Sequence, residues 1–225
     1  MSASINLHIE DNVAIISIDD GNVNAFSHAL INAFNEVLDQ LESTSAQALV
    51  LTGRTGILSG GFDLKVMNES AEARSALGRE GIQLLLRLMN STIPIVVACS
   101  GHAVALGAFL LLVADYRIGV QGDFKIGLNE VAIGIPMPQW GVEMCRTNIS
   151  PNYYLRTLLN AELFNPEEAE KSGFLNELVN SEEELSSIAF RKAEGLTVLD
   201  GHAYKETKKV ARMAEMLALE EALQA

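Results

Sequence analysis

Basic side chains are scarce in this 225-residue chain. Its 16 Lys and Arg stand against 29 Asp and Glu, a formal net charge of −13. Sequence-independent binding of nucleic acid needs a basic footprint, and adhesion to anionic lipid needs the same, so both are disfavoured as partners. Cysteine is rarer still. Cys99 and Cys145 lie far apart in apolar stretches and read as buried free thiols of a reducing compartment rather than as a disulfide. There is no CxxC pair, and His8, His28, His102 and His202 are scattered with no ligand spacing, which leaves no metal motif. Only His102, between a strand and an apolar helix, is placed to line a site. "GRTGILSGG" lacks the lysine of a phosphate loop, no GxGxxG follows a strand, and no GxSxG occurs. The longest apolar run, "HAVALGAFLLLVAD", is too short to span a bilayer. "MSASINLHIED" has no basic segment followed by an apolar one, which argues against a secretory signal. The expectation is a soluble, cytoplasmic protein.

What the chain does contain is an alternation of short apolar runs and helical stripes. "INLHIED" and "VAIISIDD" alternate apolar and polar residues around a polar turn and read as a β-hairpin. "GNVNAFS" is a turn. Ser27 then starts a helix whose Leu30, Ile31, Phe34, Val37, Leu38 and Leu41 form one stripe. "ALVLTG", "PIVVACSG" and "YRIGV" read as strands, and "LGAFLLLVAD" as a buried helix. "RTGILSGGF" reads as a glycine-rich loop, and "GREGIQLLLRLMNS" as a helix ending before Pro94. This alternation implies an α/β core of mostly parallel strands with right-handed crossovers. Beyond residue 150 the pattern turns helical, with "LNELV" as one short apolar interruption and Asn165–Pro166 as a capped helix start. The division is a core over 1–150 and a helical region over 151–225, whose amphipathic helices pack on the core or on another subunit.

Two turns and one acid carry the chemistry. In "SGGFDLK", residues 59–65, Gly60 and Gly61 open backbone conformations closed to other residues, and Asp63 is placed to cap a following helix. In "SGHAVALGAF", residues 100–109, a turn leads into an apolar helix whose N-terminus offers unpaired amides. Side by side, the two can aim one N–H each at a single oxygen, as an oxyanion hole does; apart, they are tight turns. In "GLNEVAIG", Glu130 sits among Leu128, Val131, Ala132 and Ile133. It is either a surface residue on an edge strand or a base whose pKa an apolar pocket raises.

These segments, with "NVNAF", "LTGRTGILSGGFDLK", "PIVVACSGHAVALGAFLLLVADYRIG", "FKIGLNEVAIGIPMP" and "NPEEAEKSGFLNELV", resemble in order and spacing the crotonase, or enoyl-CoA hydratase/isomerase, superfamily over nearly the whole chain. The resemblance implies an α/β fold, a spiral of ββα units with a C-terminal helical region that assembles trimers or dimers of trimers. It implies an acyl-CoA thioester as substrate, with CoA part of the substrate and no separate cofactor. The oxyanion amides fall on Phe62, where the family usually has a small residue, and Leu106, where it usually has glycine. Ala25, Ser59, Gly60, Gly61, Asp63, Leu64 and Lys65 fall along the substrate groove. Lys65, and Lys208 or Lys209, are candidates for the CoA phosphates or else solvated surface lysines. Residues 66–80 are read as a mobile part of the pocket wall.

The resemblance also bears on the reaction. Hydratases of this family carry two glutamates. Here the second position is Glu130 and the first is Phe109. One acid beside an apolar ring is similar to the Δ3,Δ2-enoyl-CoA isomerases, in which one base moves a proton from C2 to C4. Trp140 resembles an aromatic residue found there. Hydratase, other lyase and thioesterase chemistry remain as alternatives, as does an acyl-CoA binding protein without turnover.

Overall fold

The chain begins with a hairpin whose turn is written in its side chains. In the computed structural model, which describes residues 4–224, strands β1 (Ser4–Glu10) and β2 (Val13–Asp19) pair antiparallel. The first three residues of the N-terminal stretch read above lie outside the described residues. Asp11 and Asn12 between the strands both have positive φ, as a two-residue hairpin turn demands, and Asp and Asn tolerate that region. Helix α1 (His28–Glu42) starts where Ser27 accepts a hydrogen bond from the Leu30 N–H, and its six stripe residues are buried.

Three repeats follow. Strands β3 (Ala48–Thr52) and β4 (Gly56–Ser59) lead into helices α2 (Leu64–Glu69) and α3 (Ala71–Met89). Strands β5 (Ile95–Cys99) and β6 (Gly101–Val104) lead into α4 (Leu106–Val113). Strands β7 (Tyr116–Val120) and β8 (Ile126–Gly127) lead through a 3₁₀ turn at Val131–Ile133 into α5 (Gln139–Asn148). The first strand of each repeat joins one large sheet and the second joins a small one. The large sheet runs β1-β2-β3-β5-β7 and ends on the strand Glu177–Val179 (β9), parallel apart from the hairpin; the small one runs β4-β6-β8 and is parallel throughout. This is the expected ββα spiral. The chain closes with α6 (Pro151–Leu158), α7 (Pro166–Ser172), β9 (Glu177–Val179), α8 (Glu182–Leu196), α9 (Gly201–Ala211) and α10 (Met213–Gln224).

Several expectations need correction. The "RTGILSGGF" loop contains β4, and the stretch 100–109 contains β6. Neither strand is long enough to show a period of two; each is held by its partner across the small sheet. His102 therefore lies in a strand. Its Nδ1 accepts the Lys125 N–H at 3.0 Å and its ring meets Phe124 edge-on, with centroids 5.4 Å apart. Residues 66–80, read as pocket wall, do reach the cavity through Met67 and lie in α2 and α3 apart from Ser70 between them. "HAYKETKKVARMAEMLALEEALQA", which reads as one helical stretch, forms the two helices Gly201–Ala211 and Met213–Gln224. They break at Arg212, whose guanidinium donates to the carbonyls of Leu112 and Ala114 at the end of α4. Lys208 is buried, with Nζ 3.1 Å from Asp115 and 2.9 Å from the Tyr204 hydroxyl, so it is not available to a CoA phosphate. Cys99 and Cys145 are buried free thiols, as read. Among the described residues no helix is long and apolar enough to cross a membrane.

One point of backbone strain falls where β6 turns into α4. Ala105 has φ +52° and ψ −120°, and it precedes the first residue of the helix. A side chain in such a region costs about 1–3 kcal/mol. Glycine adopts it freely but loses more chain entropy on folding, about 0.5–1 kcal/mol. Ala105→Gly is expected to hold the thermal midpoint or raise it by about 2–4 °C, and Ala105→Val to lower it. A glycine variant that melts well below the parent contradicts this account of the turn.

Candidate active site

Three polar segments of the fold are locked together before any side chain points into a cavity. Asn24, buried and at φ +51°, donates from Nδ2 to the carbonyls of Ile18 and Leu58, at 2.9 and 3.1 Å. The buried Ser59 hydroxyl donates to Asn24 O at 2.8 Å and accepts the Gly61 N–H at 3.0 Å. Gly60 N–H donates to Val23 O, Phe26 N–H to Gly61 O, and Asp63 N–H to Phe26 O, at 2.8 to 3.0 Å. The first turn therefore clamps the second over four residues. The third segment, at Ala105 to Gly107, packs on the second. A Cβ on Gly107 would lie 2.3 Å from Ser59 O, and one on Gly61, at φ +95°, would lie 2.9 Å from Ala105 Cβ. Only glycine allows the two turns to approach this closely.

The consequence is a pair of amides without a protein acceptor among the described residues. The same hypothetical Cβ on Gly61 lies 3.5 Å from Leu106 N, so the two turns run side by side. Neither Phe62 N–H nor Leu106 N–H donates to an acceptor among the described residues. Leu106 opens helix α4, where the first N–H groups have no intrahelical partner. Peptide orientation there is set by the strained Ala105.

Both residues line a cavity of about 180 Å³ together with Gly60, Leu64, Met67, Ala105, Phe109, Asn129, Glu130, Ile133, Ile135, Pro138 and Trp140. Its lining is almost wholly apolar. Phe109 and Trp140 pack with ring centroids 4.6 Å apart at 55°. Leu64 and Ile133 stand at the mouth, 62% and 50% exposed.

Glu130 is the one ionisable group in that lining. It follows β8 and enters the 3₁₀ turn, where its carbonyl accepts the N–H groups of Ile133 and Ile135 at 3.1 and 2.9 Å. Its Oε2 is buried with no hydrogen-bond partner among the described residues, and so is Asn129 Oδ1. Burial raises the Glu130 pKa to about 7, against the opposing pull of backbone N–H bonds from Glu130 and Asn129. Burial also pushes the Cys145 thiol up to about 12, and the Glu130 charge adds to that, so the thiol stays protonated beside the acid.

The remaining residues named from the sequence fall around the cavity rather than on its wall. Ser59 and Gly61 hold the second turn. Ala25 lies in the first turn, its N–H bound to Asp20 Oδ2 at 2.9 Å. Asp63 caps α2 by accepting the Lys65 N–H at 2.9 Å, and Lys65 and Lys209 are exposed. Met67, Ala105, Asn129, Ile133, Ile135 and Pro138 were not singled out. Four of them lie inside "GLNEVAIG" and the residues just after it, and proximity in sequence to Glu130 was the available signal. Ala105 gave none, because its positive φ is unusual for alanine.

The model of the enoyl-CoA hydratase/isomerase family matches residues 8–225. Mouse enoyl-CoA delta isomerase 1, mitochondrial, is 32% identical over 206 residues, which is 90% of this chain and 71% of that protein. A Pseudomonas syringae protein of the enoyl-CoA hydratase/isomerase family is 46% identical with a TM-score of 0.93, covering 98% of this chain and 95% of that one. An enoyl-CoA isomerase of Mycobacterium tuberculosis is 34% identical with a TM-score of 0.94, covering 100% and 97%. With this fold, this apolar cavity and these matches, the chain belongs to the enoyl-CoA hydratase/isomerase family of acyl-CoA enzymes.

Proposed function

We propose that the protein is a Δ3,Δ2-enoyl-CoA isomerase in which Glu130 is the base. The observation that carries this reading is a single carboxylate, with an unpartnered oxygen, in a cavity whose other lining residues are apolar apart from Asn129. Moving a double bond from C3 to C2 needs one proton removed at C2 and one delivered at C4. Glu130 takes the first. The electron pair delocalises through the thioester, so charge grows on its oxygen. Phe62 N–H and Leu106 N–H are the donors proposed to meet it, and each such donor is worth about 10²–10³ in rate. Glu130, now neutral, gives its proton to C4 and is regenerated.

A pKa near 7 suits both halves of that cycle. An acid at its ordinary value is ionised but too weak a base; one well above 7 stays protonated. Phe109 stands where a hydratase carries its second acid, and its contact with Trp140 closes that side of the cavity with carbon. Water has no polar anchor there. The mouse relative named as an isomerase supports the same choice, whereas the Mycobacterium tuberculosis protein is described both as an isomerase and as a probable hydratase.

Paired assays separate the reactions. Isomerisation predicts growth of the conjugated-thioester absorbance from 3-enoyl-CoA, lowered about 10²–10⁴-fold by Glu130→Gln. If 3-enoyl-CoA is unchanged while 2-enoyl-CoA loses that absorbance to hydration, the protein is a hydratase. Release of free thiol from saturated acyl-CoA marks a thioesterase, and binding with no turnover of any of these marks a non-catalytic protein.

The raised pKa has a cost in stability. The folded state favours protonated Glu130, so its contribution is whole below pH about 4.5 and is lost as pH rises through about 7. Glu130→Gln is therefore expected to stabilise the fold at about pH 8, by up to about 3 kcal/mol, and to match the parent near pH 4. Urea denaturation at both pH values checks this. Equal stability at the higher pH means that the carboxylate is solvated or paired.

A further inference from the structure

Phe62 is a large residue in a position whose proposed chemistry uses only its backbone. Its side chain has a separate place. A Cβ built on Gly81 would fall 2.4 Å from Phe62 Cζ and 2.6 Å from Cε1, with Leu106 Cδ2 at 3.6 Å. Gly81 lies inside α3, on the buried face that also carries Leu77, Leu84, Leu85 and Leu88. Glycine weakens a helix interior relative to alanine, so its presence there calls for a packing reason. The reason is the ring: the edge of Phe62 fills the notch that the absent side chain leaves. Because Phe62 also lines the cavity, its ring, with Leu106 beside it, stands between that cavity and helix α3 at this point.

We infer that the Phe62–Gly81 pair is the wall that sets acyl-chain length. This rests on the reading that the cavity takes the acyl chain. Trimming the ring opens the cavity toward Gly81 and leaves the Phe62 N–H in place. Adding a methyl group at Gly81 acts in the opposite sense. The far end of the ring gives way more readily than helix backbone, and the cavity that Phe62 lines offers it room. The size tolerated at one position therefore depends on the other: Phe62 with any side chain at position 81 beyond hydrogen is expected to shorten the pocket.

Calorimetric titration with saturated acyl-CoAs, from butanoyl-CoA to tetradecanoyl-CoA, reads the wall directly. Each methylene that enters apolar surroundings tightens binding about fourfold, and the gain stops where the pocket ends. Phe62→Ala is expected to extend the rise by about two carbons, and so to bind the longer chains more than about tenfold tighter than the parent. Gly81→Ala is expected to end the rise earlier than in the parent. Phe62→Leu gives the same test with less loss of packing if the alanine variant does not fold. An end point at the same chain length in the parent and in every folded variant overturns the inference alone. A parent that binds the whole series with no dependence on chain length overturns the acyl-chain reading of the cavity, and the inference falls with it.

Discussion

An ionisable carboxylate facing carbon is the constraint on which the rest of this molecule turns. Solvation would stabilise the Glu130 anion, and the cavity withholds it: Oε2 has no hydrogen-bond partner among the described residues, and the wall around it is made of Leu106, Phe109, Trp140 and isoleucines. The resulting shift to about 7 stores free energy in the folded state. A site can keep such a group only if the surrounding scaffold is rigid enough to deny it relaxation toward water. Here the anchor is local. The 3₁₀ turn takes two N–H groups onto the Glu130 carbonyl, and β8 before it is locked between β6 and an isolated bridge from Ile126 to Phe164.

The same rigidity governs the opposite wall. Its two free amides lie on different repeats of the spiral, and nothing in either repeat alone brings them together. The small sheet does so by pairing β4 with β6, and the glycines remove the side chains that would keep the turns apart. At Gly101 a Cβ would lie 2.0 Å from the Gly56 backbone, so the approach is tight along the whole pair. Behind the wall, Arg212 ties the far end of α4 to the junction of the last two helices, at 2.7 and 2.8 Å from the Leu112 and Ala114 carbonyls. The C-terminal helices therefore brace the helix whose first residue points into the cavity.

Much of this was legible in the chain because the large elements announce themselves. The stripe of α1, the hairpin, the buried runs of β3 and β5, and the cap at Asn165 each follow from local pattern and local chemistry. The small sheet was not legible. Four residues of β4 and two of β8 cannot show a period, and they are strands only because a neighbour completes their hydrogen bonds. His102 was misplaced for the same reason. Lys208 reads as accessible, to a CoA phosphate or to solvent, because its burial depends on Asp115 and Tyr204, which are distant in sequence or one turn away. In the cavity, the acid and the two aromatic residues stood out as chemistry. The plain residues Ala105 and Met67 did not, since their role is shape.

The central claim is that one carboxylate serves both carbons of the substrate. Its most direct test follows a label. With 3-enoyl-CoA carrying deuterium at C2, a single buried base that exchanges slowly with water is expected to return part of that deuterium to C4 of the 2-enoyl product, above the level that the solvent supplies. Product with only solvent hydrogen at C4, under conditions where C2 deuterium is fully retained in unreacted substrate, would contradict a one-base transfer and place the second proton on another donor.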